Sequence, residues 1–150
     1  MSITALTDAF APINQQLFPI QNAQRRWLAP VHGAVSSLWL ASLVQAPIWN
    51  VAERLKVVVT RDQNQLNQIE TELAFCGVDA HVFPDWETLT YDELSPHQDI
   101  VSERINLLTD MPTSGVLLIS VQALMHRVAP PSWLIGQHFD LSVGDQFDIN

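Results

Sequence analysis

The sequence predicts an α/β fold, a mostly parallel sheet with flanking helices. Apolar runs of strand length recur at LKVVVT, VDAHVF and GVLLISV. Stretches of helical length separate them, and strands alternating with helices imply βαβ units. Glycine and proline punctuate the joins, at Gly33, Pro47, Gly77, Pro84 and Pro112.

Residues 1–25 form an N-terminal arm with weak signals. Pro12 and Pro19 interrupt it, so it should hold no more than a short helix. Arg26 to Val31 (RWLAPV) reads as a short buried strand ending at Pro30. Gly33 then opens AVSSLWLASLVQ, a helix that Pro47 stops. Leu55 to Thr60 is a β-branched strand. The polar stretch RDQNQLNQIETELAFCG follows, with Leu66, Ile69, Leu73 and Phe75 at roughly helical spacing and Gly77 as C-cap. Val78 to Phe83 is the next strand, and Pro84 to Gln98 a structured, Pro-bounded loop. Asp99 to Leu108 is helical, with Asp99 or Ser95 as its cap. Gly115 to Val121 is the most apolar strand. Gln122 to Val128 is a short helix ended by Pro130-Pro131, and His138 to Ile149 alternates as a half-buried strand around a Gly144-Asp145 turn.

The totals exclude several functions. A chain of 150 residues fits one domain with a real core. The most apolar stretch, Ala34 to Ile48, is broken by Ser36, Ser37, Ser42, Gln45 and Pro47, short of the roughly 20 residues a membrane helix needs. No basic region precedes an apolar stretch at the N-terminus, so no secretion signal is read. The lone Cys76 cannot form an internal disulfide, which makes the cytoplasm the default compartment. The net charge of −9, one lysine (Lys56) and scattered arginines argue against direct nucleic-acid binding, which needs clustered Lys and Arg.

The segment RWLAPVHGAVSSLWLASLV has the outline of a P-loop: strand, glycine turn, helix. Its chemistry is absent. A working loop needs a second glycine and a Lys-Ser/Thr pair, whereas Gly33 is followed by Ala34, Val35, Ser36 and Ser37. This is a P-loop NTPase-like turn with a degenerate Walker A loop, and no nucleotide or other cofactor is expected. Asp85, Trp86, Glu87, Tyr91, Asp92, Pro96, His97 and Asp99 cluster in the acidic, aromatic loop. Several oxygen ligands could hold a hard cation, but the spacing fits no metal motif, and these residues read as structural. Cys76 ends an apolar face, as packing cysteines do. Ser120 lacks a G-x-S-x-G elbow. His32, His126 and His138 have no spaced partners, and the five tryptophans lack the interleaved basic residues of a base-stacking surface.

FPDWETLTYDELSPHQDIVSERINLL closely resembles a signature of the transcription-repair coupling factors, with Thr90 where that family usually has proline. GVLLISVQALMHRVAPPSWL resembles the strand, helix and proline turn that follow it there. The resemblance spans about residues 55–140. It implies a UvrB-like domain at 26–136 that has lost its Walker residues. The long aromatic hairpin with which UvrB grips DNA would lie near Trp86 to Ser95, and the short segment here implies that the clamp is lost. The tail HFDLSVGDQFDIN, within 137–150, resembles the first strands of the family's UvrA-binding domain. The chain thus reads as a fragment without catalytic activity. Its implied partners are UvrA, through the mostly missing next domain, and the other domains of the parent protein, whose motor it would help hold at rest. The C-terminal strand could also support weak self-association, as edge strands do. The alternative function is a small metal-dependent enzyme using the loop Asp85–Asp99.

Overall fold

The computed structural model describes residues 3–17, 25–46, 54–86 and 97–134. They form α1 (Ile3–Leu17), α2 (Val35–Gln45), β1 (Lys56–Thr60), α3 (Gln63–Phe75), β2 (Ala80–Phe83), α4 (Gln98–Thr109), β3 (Val116–Ser120), α5 (Val121–Met125) and α6 (Pro131–Leu134). The three strands make a parallel sheet in the order β1-β3-β2. The α/β class and the parallel sheet are therefore as the sequence predicts.

The central strand explains the layering. All five residues of β3 are buried, because it has a strand on each edge and side chains on each face. A continuous apolar run, rather than an alternating one, marks such a strand. Val116 and Leu118 join Ala41, Leu66, Leu73 and Val78 in the larger core, towards α2 and α3. Leu117 and Ile119 join Phe83 and Ala123 on the opposite face, where Leu107 and Leu108 of α4 pack.

Local signals fix the ends of α3. The Asp62 carboxylate accepts the Gln65 N–H at 2.8 Å as its N-cap. At the other end Gly77 takes φ +71°, which only glycine adopts at no steric cost. The N–H groups of Gly77 and Val78 then reach back to the carbonyls of Ala74 and Leu73. Leu66 and Leu73 are fully buried, but Phe75 is 91% exposed. Two residues beyond Leu73 is about 200° around a helix, so Phe75 leaves the buried stripe.

Several sequence expectations need correction. Arg26 to Val31 form no strand: the segment has no regular structure, and Trp27 is 91% exposed. Pro30 cannot donate to a ladder, and no described strand pairs with this segment. The arm is more ordered than expected, since α1 runs 15 residues through Pro12 and packs on α2. Tertiary contact there outweighs the hydrogen bond that proline removes. α4 is capped by His97, whose Nδ1 accepts the Asp99 N–H at 3.4 Å, and not by Asp99. α5 stops at Met125, and Pro131 opens α6 instead of merely ending the previous helix. Glu87, Tyr91, Asp92, Pro96, the alternative cap Ser95 and the tail strand His138 to Ile149 lie outside the described residues.

Two outcomes follow. Leu118→Ala should cost about 3 kcal/mol, as complete core truncations do, measured by urea denaturation. The Gln65 N–H, then Arg61, hold the Asp62 carboxyl below its ordinary range. A carboxyl depressed in the folded state stabilises above its unfolded value, and that contribution is lost as pH falls through the folded one. Asp62→Asn retains a capping oxygen. It should therefore flatten the acid limb of the stability–pH curve below about pH 4 and lower neutral stability by the small amount that the wild type loses on acidification.

Candidate functional site

Ligands of open parallel sheets gather at the C-terminal ends of the strands. Here those ends bring Phe83, the last residue of β2, and the following Pro84, Asp85 and Trp86 beside Ser120, the last residue of β3. Ser120 has two roles. Its hydroxyl accepts the Ala123 N–H at 3.0 Å, capping α5, and donates to Asp85 Oδ2 at 3.4 Å. Asp85 Oδ1 accepts the Trp86 N–H at 2.8 Å, and His126 Nε2 stands 4.0 Å from the same oxygen.

Arg104 of α4 closes the cluster. Its guanidinium carbon lies 4.3 Å from the ring centres of both Phe83 and Trp86, and Nη1 donates to the Pro84 carbonyl. Arg104 is 2% exposed. Burial lowers its pKa from the ordinary value, and the nearby Asp85 charge opposes that shift. An arginine stays protonated through such changes. Among the described residues Nη2 has no hydrogen-bond partner.

This geometry binds internally and does not suit nucleophilic chemistry. The order is hydroxyl, carboxylate, imidazole; acyl-transfer triads place the imidazole between the other two. The Ser120 hydroxyl therefore meets a carboxylate, and His126 stands against the far oxygen of that carboxylate instead of against the hydroxyl. The loop residues identified from sequence are also divided. Asp85 is buried and Trp86 half-buried within the arginine cluster. His97 and Asp99 are exposed, 3.1 Å apart, and Asp99 lines an open groove of about 610 Å³ with His81, Glu103 and Asp110. No group of three His, Cys, Asp or Glu placed to hold a metal occurs among the described residues.

The Gly33 turn is a separate place. Gly33 takes φ +64°, and the Ser36 hydroxyl donates to its carbonyl at 3.1 Å. Ala34 at the N-cap of α2 makes no side-chain cap, and Ser37 is 1% exposed with its hydroxyl unpartnered among the described residues. Between α2 and β1 lies a mostly apolar cavity of about 320 Å³, walled by Val31, Trp39, Leu40, Val57 and Val58. His32 is exposed, while Cys76 is half-buried against the larger core, as its apolar neighbours indicate.

Sequence reading missed Arg104, although a signal exists. Ile100, Val101, Leu107 and Leu108 mark the inner stripe of α4, and position 104 falls in its middle. An arginine on an apolar stripe requires a partner inside.

These features describe an α/β scaffold whose polar cluster serves its own loops, and sequence comparison specifies the class. No family model matches the chain. It is 32% identical over 131 residues to the transcription-repair-coupling factor of Escherichia coli, covering 85% of this chain and 11% of that protein. To the factor of Haemophilus influenzae it is 37% identical over 103 residues, 65% of this chain and 9% of that one. To that of Rickettsia prowazekii it is 30% identical over 93 residues, 60% and 8%. Over the matched residues the chain is a homologue of one segment of the transcription-repair-coupling factors. It spans about a tenth of the length of these relatives.

Arg104→Ala should cost about 3 kcal/mol, since it removes a buried side chain packed on Phe83 and Trp86 and leaves the Pro84 carbonyl without its donor. Trp86→Ala should cost a comparable amount, about 3 kcal/mol. The two share one contact, so a double-mutant cycle by urea denaturation should show a total well short of the sum. Strict additivity would mean that the guanidinium and the indole do not interact.

Proposed function

We propose that this chain is a non-catalytic module of a transcription-repair-coupling factor, supporting recruitment of UvrA to stalled RNA polymerase and restraint of the parent protein's motor. The observation that carries the reading is the homology across 85% of the chain. We take residues 26–136 as a UvrB-like domain, 1–25 as an arm on it and 137–150 as the start of a UvrA-binding domain. Gly33 to Ser37 is read as a degenerate P-loop: a left-handed glycine opens a helix, but lysine and a second glycine are missing. In a working loop those residues stabilise the transferring phosphoryl group.

The signature segment Asp85 to Asp99 is assigned a structural role. Asp85 and Trp86 support that reading because they are engaged with Ser120 and Arg104. The rival reading, a metal-dependent enzyme on this segment, gains nothing from Asp85 and Asp99, which face different surroundings.

The test is retention of purified UvrA by the immobilised chain, compared with a longer protein that continues through the next domain. The extended protein should retain UvrA and the 150-residue chain should not. Equal retention by both would move the binding surface into this module. Retention by neither would remove UvrA from the proposal.

A further inference from the structure

Arg25 to Val31 is an apolar, aromatic segment turned outward. Trp27 is 91% exposed, and Leu28 and Val31 are exposed as well. Three large apolar side chains open within five residues are more than the scattered exposure of an ordinary surface. The segment has no regular structure, and Pro30 holds the residue before it in an extended form. Arg25, also exposed, places a cation two residues before the indole. Trp and Arg are the side chains that most often anchor protein contacts. The same chain carries a surface of complementary character. Asp99, Glu103 and Asp110 recur on one side of α4 and its C-cap, and they border the open groove of about 610 Å³ beside the edge strand β2. Leu107 and Pro112 add apolar lining, and His81 an aromatic ring. Asp99 meets His97 at 3.1 Å, while among the described residues Glu103 and Asp110 meet no cation.

We propose that the Arg25–Val31 segment of one copy docks into the α4–β2 groove of a second copy of this chain. Trp27 lies against Leu107 and Pro112, and Arg25 pairs with the carboxylates. A segment cannot fill the groove of its own chain as folded. The groove lies on the sheet face that α4 covers, whereas the segment leads into α2 on the opposite face, and Trp27 is open to water. Charge complementarity selects the occupant: a cation beside an indole meets carboxylates beside apolar side chains. The groove's volume falls within the range of about 300–1,000 Å³ typical of binding clefts. The net charge of −9 repels two copies at a distance. At physiological salt that repulsion is screened beyond about 8 Å, so local pairing decides the contact. One segment in one groove is a small interface, and association is accordingly weak and transient. The proposal rests neither on the coupling-factor reading nor on the C-terminal strand.

Sedimentation velocity over a concentration series of the whole chain tests this. The weight-average sedimentation coefficient of the wild type should rise with concentration. Trp27→Ala and Glu103→Arg should each weaken association by at least about tenfold, as the loss of an anchor does. Both positions are exposed, so thermal melting should be unchanged in either variant. The decisive sample is an equimolar mixture of the two variants. Trp27→Ala retains the groove and Glu103→Arg retains the segment, so the mixture should form a one-to-one dimer that neither variant forms alone. A wild type that stays monomeric at the highest concentration would overturn the proposal. So would self-association that Trp27→Ala leaves intact, which would place the contact elsewhere, or a mixture of the two variants that remains monomeric.

Discussion

Everything described in this molecule is placed by the burial of β3. Five residues, Val116 to Ser120, take hydrogen bonds from β1 on one edge and β2 on the other, and none reaches solvent appreciably. A strand that apolar on both faces requires a layer of helices on each. Parallel neighbours require crossover connections, which α3 and α4 supply. Because β3 is central, the chain passes over it between β1 and β2 and returns to it afterwards. That topology brings Phe83 and Ser120 to one end of the sheet, and with them the loop that starts at Pro84.

At that end the molecule buries a charge, and the energetics say why this is not simply a stabilising device. Removing a guanidinium from water costs several kcal/mol, about what a well-placed partner returns. Arg104 recovers part of it from two ring faces, a carbonyl and the field of Asp85. Each cation–π contact is worth about 1–2 kcal/mol when desolvated. A methionine of similar length could fill the space with comparable stability. It could not bond the Pro84 carbonyl or balance Asp85. The arginine therefore specifies the path of Pro84 to Trp86 more than it strengthens the core.

The legibility of the sequence follows the same division between periodic and particular. Strands and helices around β3 were readable because their signals are periodic or β-branched, as in KVVVT and QNQLNQIETELAF. The end of α3 was readable to within two residues because a glycine marks it, Gly77. The strand expected at Arg26 to Val31 was not, because an apolar hexapeptide looks the same whether or not a neighbour exists to pair with it. α1 was underestimated because Pro12 outweighed a packing contact, Asn14 on Trp39, that no local pattern displays. Asp85 and Trp86 were picked out as structural from their place in an aromatic loop. Their partners Arg104 and Ser120 come from 18 to 35 residues further along the chain, and that pairing is a product of topology.

Cover is uneven across the sheet, and this sets where the chain is firm. Around β3 and α3, side chains such as Leu66, Leu73 and Leu118 lose all contact with water. On β1 the residues of the second face, Val57 and Val59, remain about half exposed, since the described helices on that side pack over β2 and β3 instead. Towards α1 the described contacts mix Phe10 on the larger core with the bonds of Asn14 to Trp39 and Ser42. Local opening free energy tracks buried apolar contact, so resistance to opening should be greater at β3 than at β1. A gradient of this kind separates two requirements within one small fold. The firm end holds Asp85, Arg104 and the loop they shape in fixed positions. At the other end, Asn14 ties α1 to Trp39 and Ser42 of α2.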